Sequence, residues 1–284
     1  MLIDSNYDVQ QDSCLRGGST ITTLWEKGNG MGNKFSAPPG DPSRGGGCDI
    51  GAPTPAALLD PPKGGDENFI LLQDHTQHPT RPSTRRESLE TIRSRYIPLL
   101  LQQQSRAPTT VLLLQTFAYR VPGLKGSEDL GDFHAFTERL VGGYDAYADA
   151  LREGGIRRVR IVPMGRAVQW LYAHRRNDLW ESLYSWDDFH PSPHGTWLQA
   201  CLIYMALTGD VPPRYNPMWW DNCRYMQPPD QTPLPLPLPT IQEAEELRQV
   251  AILVHDIEGA KSALPPTEDS RDGNSAEDGV KSSL

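Results

Sequence analysis

The densest chemistry in the sequence lies in the run Trp186, Asp187, Asp188, Phe189, His190, Pro191, Ser192, Pro193, His194, Gly195. An imidazole acting as a general base needs a partner that holds its tautomer and stabilises its charged form. A carboxylate three residues earlier on a tight loop can reach back to Nδ1 of the same ring. That reading makes His190 the base and Asp187 its orienter, and leaves Nε2 to face a hydroxyl. Pro191 and Pro193 stiffen the loop, and Ser192 is suited to cap a helix with Pro193 in its first turn. His194 follows His190 by four residues, but a zinc pair at that spacing needs both rings on one helix face, and His190 precedes the cap. Cys14, Cys48, Cys201 and Cys223 show no metal-ligand spacing. No metal and no cofactor is therefore expected. The cysteines read as partly buried thiols, with disulfides left open.

The elements that must position this loop alternate. Residues 7–13 alternate weakly and predict a strand, and a short helical stretch follows through Trp25. Asn68–Gln73 is an apolar run with the length of a buried parallel strand. A helix is expected from Thr84 to Gln104, with Leu89, Ile92, Tyr96, Leu99 and Leu100 inward and a kink or break at Pro98. A second buried strand covers Thr110–Thr116. A long helix covers Leu130–Gly154, with Phe133, Phe136, Leu140, Tyr144, Tyr147 and Leu151 as its inner stripe and glycines to end it. A third strand is expected at Arg157–Pro163 and a helix at Arg166–Arg175. The helix after Ser192 is apolar almost all round and closes at Gly209. Thr240 and Glu243 form a capping box for a last helix reaching Gly259. Such alternation predicts an α/β protein, a three-layer α/β/α sandwich on a mostly parallel sheet, with catalytic loops at the carboxyl ends of the strands.

Composition sets the limits. The 284 residues are 37% hydrophobic and include 25 Gly and 26 Pro, which points to a packed core with long irregular segments attached. Residues 28–67 read as a Gly/Pro-rich insertion, 228–239 as a polyproline linker and 264–284 as a disordered acidic tail. The main domain is expected over 68–227 together with 1–27, and a terminal helix over 240–263. Of the net charge of −9, residues 240–284 carry ten acids against four bases. No basic face for nucleic acid is evident. No apolar run long enough for a membrane helix occurs, and no secretory leader is visible. The ladder at 233–239 fits a polyproline II spacer or a ligand for an SH3-like partner.

The run DDFHPSPHGTWLQACLIYMALTG resembles the last block of SGNH/GDSL-type hydrolases, in which Asp-x-x-His-Pro-Ser precedes a small-residue helix. NFILLQDHTQHP is similar to a third-strand block of one branch of that family, TVLLLQTFAYR to the strand after it, and CLRGGSTI to the block whose glycine feeds an oxyanion hole. Together these span residues 7–209. The resemblance implies a serine esterase acting on acyl or acetyl esters, including esters on carbohydrate. It makes Asp187 and His190 the catalytic acid and base. It also implies Gly17, Gly18 and the Gln73 amide as oxyanion donors. Where the family has its serine turn, this chain offers only Ser5, which lacks an apolar strand before it and a helix after it. The first strand and its nucleophile are thus expected to be missing, as in a truncated reading frame or a degenerate copy. Such a chain would be an incomplete hydrolase. The alternative is a non-catalytic SGNH-like scaffold that binds a ligand or a protein. Trp186, Trp219 and Trp220 are read as core or interface residues, or as an aromatic wall for a sugar or acyl group, and His75 and His78 as solvent-facing, with lining of the cleft as the alternative.

Overall fold

A computed structural model describes residues 1–2, 5–7, 9, 11–30, 53–59, 67–174, 176–222 and 236–263. Its order is α1 (Ile21–Lys27), α2 (Pro55–Leu59), β1 (Phe69–Leu72), α3 (Pro82–Thr91), α4 (Ile97–Arg106), β2 (Thr110–Leu114), α5 (Phe133–Glu153), β3 (Val159–Val162), α6 (Met164–Ala173), α7 (Asn177–Ser182), α8 (Pro193–Thr208) and α9 (Ile241–Ala263). The fold is α/β, with a parallel sheet in the order β1-β2-β3. No helix among the described residues is long and apolar enough to cross a membrane.

Strand β2 is central and buried at every position. Its backbone alternates sides. Thr110 N–H donates to Asn68 O on the β1 side (2.9 Å), and Val111 N–H donates to Arg158 O on the β3 side (2.9 Å). By the same alternation, Phe69 and Leu71 turn their backbone groups away from β2 toward the outer edge of the sheet. Their side chains are 36% and 43% exposed. No strand pairs with that edge among the described residues. The strand expected at 7–13 does not form in the described part of that segment. It offers only Tyr7 and Val9 as apolar residues, and no neighbouring ladder is present to recruit them.

Helix α5 buries the whole expected stripe from Phe133 to Leu151, with Tyr144, Tyr147 and Leu151 fully covered. Asp132 caps it by accepting from Ala135 N–H (2.8 Å). Gly155, at φ +91°, then takes the left-handed turn that releases the chain. The kink expected at Pro98 takes the form of a π turn over Ile92–Tyr96, where Ile97 N–H bonds Ile92 O. Pro98 has no N–H to give and its ring crowds the carbonyl of Ser94, so the helix widens one turn earlier. Within the stretch read as irregular, α2 packs Leu59 into the core, and Gln103 Nε2 donates to Leu59 O (3.2 Å). Helix α7 was not evident in the sequence. The capping box of α9 is formed, with Thr240 N–H on Glu243 Oε2 (2.8 Å) and Glu243 N–H on Thr240 Oγ1 (3.2 Å). Trp197 of α8 donates to Ala244 O of α9 (2.8 Å) and ties the two together.

Candidate acid–base site

The loop between α7 and α8 folds on itself. Ser185 N–H donates to His190 O (2.8 Å) and Ser192 N–H to Leu183 O (2.9 Å). Ser192 caps α8 by accepting from Gly195 N–H (3.2 Å), and its hydroxyl donates to Ser182 O. The tip passes through Asp188 in the left-handed region, φ +65°, a conformation that costs a non-glycine residue about 1 kcal/mol or more. It is held there from β2's side: Arg120 N–H donates to Asp188 O (2.9 Å) and the Arg120 guanidinium pairs with the Asp188 carboxylate. Tyr184 OH donates to Ala118 O (2.9 Å), which fixes the base of the loop just beyond the carboxyl end of β2.

Asp187 and His190 come together as the sequence predicts. His190 Nδ1 lies 2.6 Å from Asp187 Oδ2, and His190 N–H donates to Oδ1 at 3.0 Å. The Asp187 side chain is 13% exposed and that of His190 65%. Burial resists ionisation of Asp187, but the backbone amides of His190 and Phe189 and the His190 ring outweigh it and hold the carboxyl below the usual range. An ionised Asp187 accepts Nδ1–H and so places the ring's other nitrogen outward. Nε2 carries no hydrogen bond among the described residues. Phe189 lies against His190, with ring centroids 4.1 Å apart, and packs on Tyr119 at 5.7 Å. Lys125 Nζ sits 4.9 Å from the Phe189 ring. Trp186 is 64% exposed on the same turn, not in the core. Trp219 and Trp220 pack against the core instead.

Gly17 and Gly18 form an exposed turn ahead of α1, with Gly18 at φ +63°. Gln73 is exposed just past β1. Asp74, which no sequence motif singles out, anchors both. It is 1% exposed. Its Oδ1 accepts Ile21 N–H from α1 (3.0 Å) and His75 N–H (2.8 Å). Its Oδ2 accepts Ser88 Oγ–H from α3 (2.7 Å) and Tyr147 O–H from α5 (2.7 Å). An acid at the carboxyl end of an apolar strand was the available signal, since a buried carboxylate must gather donors. No hydrogen bond joins His190 to Gly18 or Gln73 among the described residues.

Ser5 is placed far from this chemistry. Its N–H bonds Met1 O and Leu2 O, and Tyr7 beside it bonds Asp210, past the end of α8. His190 stands before the start of α8, whose 16 residues span about 24 Å. Neither His75 nor His78 is solvent-facing as expected. Both are half-buried, their rings meet edge to face at 6.0 Å, and His78 Nδ1 is covered without a partner among the described residues. His194 turns away from His190 into the core, with Nε2 3.4 Å from Glu243 Oε2. Cys14 and Cys201 are buried. Cys48, Cys223 and residues 233–235 of the proline ladder lie outside the described residues.

No protein-family model and no curated protein sequence matches the chain. Among solved structures it is similar to the crystal structure of a DUF4886 family protein from Bacteroides uniformis ATCC 8492. The TM-score is 0.50 at 15% identity, over 89% of this chain and 84% of that one. The likeness concerns the fold alone, and agrees with an α/β arrangement.

Proposed function

We propose that the chain carries the acid–base half of an SGNH-type ester hydrolase, on a three-layer α/β/α frame. His190 is the general base, Asp187 its orienter, and Gly18 N–H with the Gln73 amide the oxyanion donors. The observation that carries this reading is the 2.6 Å contact between Asp187 and His190 Nδ1 on an anchored turn, with the rest of the ring open to solvent. The substrate class is an acyl or acetyl ester, with Trp186 as an exposed wall beside the ring. The outer edge of β1, unpaired among the described residues, supports the expectation about the nucleophile. In the family that this sequence resembles, the serine-bearing strand runs along the strand corresponding to β1.

The assay is hydrolysis of p-nitrophenyl acetate by the purified chain. Without a serine, His190 would activate water, giving slow turnover well below that of a complete triad. His190→Ala should abolish the increment over buffer, and Asp187→Asn should cut it by leaving the wrong tautomer. Turnover unaffected by His190→Ala, or no turnover at all, would instead favour the non-catalytic scaffold. That second reading gains from one observation: no hydroxyl among the described residues is bonded to Nε2.

A further inference from the structure

At the opposite rim of the sheet a concavity of about 310 Å³ opens among Gln104, Arg106, Ala107, Pro108, Arg157 and Arg158. The chain enters β2 and β3 here, at their amino ends, so the feature is separate from the His190 loop. Its walls are preformed. Gln104 Oε1 accepts Arg157 N–H (2.8 Å), and its Nε2 donates to Gly155 O (3.1 Å). Thr109 Oγ1 donates to Glu67 O (2.7 Å), and Val111 N–H bonds Arg158 O (2.9 Å). These bonds fix the backbone from which both arginines project.

The charge there is one-sided. Among the described residues no Asp or Glu lines the concavity. On the neighbouring α5, Glu153 pairs with Arg93 and Asp149 with Arg152, while Glu67 meets the rim through its backbone oxygen on Thr109. The guanidiniums of Arg157 and Arg158 have no ion pair among the described residues, whereas Arg81, Arg120, Arg166, Arg176 and Arg248 are each held by a carboxylate. Two consecutive arginines that both line the concavity leave its positive charge uncompensated, and a tetrahedral anion can answer it with forked hydrogen bonds. Ala107 and Pro108 add an apolar patch for an organic body. The volume matches the lower end of small-molecule sites, about 300 Å³.

We propose that this concavity binds a phosphate-bearing small molecule, with Arg157 and Arg158 gripping the phosphoryl group. A nucleic-acid strand is the poorer occupant, because the recess offers only a short basic stretch and the chain's net charge is −9.

The test is calorimetric titration of the full chain with inorganic phosphate and with glycerol phosphate, at an ionic strength matched with chloride. Saturable binding of both is expected, tighter for the ester. Arg157→Gln and Arg158→Gln should each weaken it by about tenfold or more, as loss of a charge-assisted hydrogen bond does. Arg214→Gln, an exposed arginine outside the concavity, should leave it unchanged. Both arginines are exposed, so the variants should keep the parent's melting temperature. The proposal is overturned if phosphate gives no heat beyond chloride, if the double variant binds as the parent does, or if a single-stranded oligonucleotide outcompetes the ester.

Discussion

Removing the carboxylate of Asp74 should be among the most damaging single changes in the chain, and the structure says by how much. Four donors converge on it, two to each oxygen. In Asp74→Ala the Ser88 and Tyr147 hydroxyls can rotate and bond one another. The Ile21 and His75 amides cannot move, and each loses its acceptor, the first in a buried and the second in a part-buried place. At about 1–3 kcal/mol per unsatisfied buried group, the amides alone cost about 2–6 kcal/mol. Relief from burying the carboxylate offsets part of this, leaving a net loss of about 4 kcal/mol. Asp74→Asn keeps one oxygen for both amides and turns its NH₂ toward the two hydroxyls, which can accept. It should cost only about 1–2 kcal/mol. Urea unfolding separates the two: for a slope near 2 kcal/mol/M, the alanine midpoint should fall by about 2 M and the asparagine midpoint by less than about 1 M. Amide exchange at Ile21 should quicken first, because that bond ties α1 and the Gly17–Gly18 turn to the end of β1. An alanine variant within about 1 kcal/mol of the parent, or an asparagine variant as damaged as alanine, would refute this account of the anchor.

Gly195→Ala would set a methyl 2.3 Å from Leu183 O, the acceptor that closes the His190 loop. The loop must open, so melting temperature and any His190-dependent hydrolysis should fall together; a variant that keeps both would show that the turn tolerates displacement. His194 and His75 are held below the usual histidine range, in both cases chiefly by burial. Each therefore binds its proton more readily when unfolded, so their contribution is intact above about pH 6.5 and is lost as the pH falls below it. His194→Gln should flatten that part of the stability–pH curve, and an unchanged slope in denaturant melts would count against the burial argument. Leu71→Lys puts a charge on the bare edge of β1, where apolar side chains and unpaired backbone invite another strand. Sedimentation should show less self-association at equal stability; an unaltered distribution would mean that the edge is inert.

What could be read from the sequence was what is local. Asp187 and His190 are three residues apart, and the proline-stiffened turn and the Ser192 cap lie beside them, so spacing alone carried their geometry. The stripe of α5 was equally plain, because 3.6-residue periodicity reports one buried face over 21 residues. Helix α7, six residues long, is too short for periodicity to register. The bonds that converge on Asp74 were invisible for a different reason: its donors at Ile21, Ser88 and Tyr147 lie 53, 14 and 73 residues away. Only the closed fold brings them together.

The same distinction bears on what His190 faces. The imidazole is aimed by a neighbour in sequence, so its orientation survives whatever else the sheet contains. On the proposed reading, a hydroxyl opposite Nε2 arrives from another strand, across a ladder such as the one that Phe69 and Leu71 leave unpaired among the described residues. A base can thus stay preorganised on its own anchored turn while its nucleophile depends on sheet pairing. On the hydrolase reading proposed above, that is why the Asp187–His190 pair can remain intact in a chain whose described residues place no serine against it.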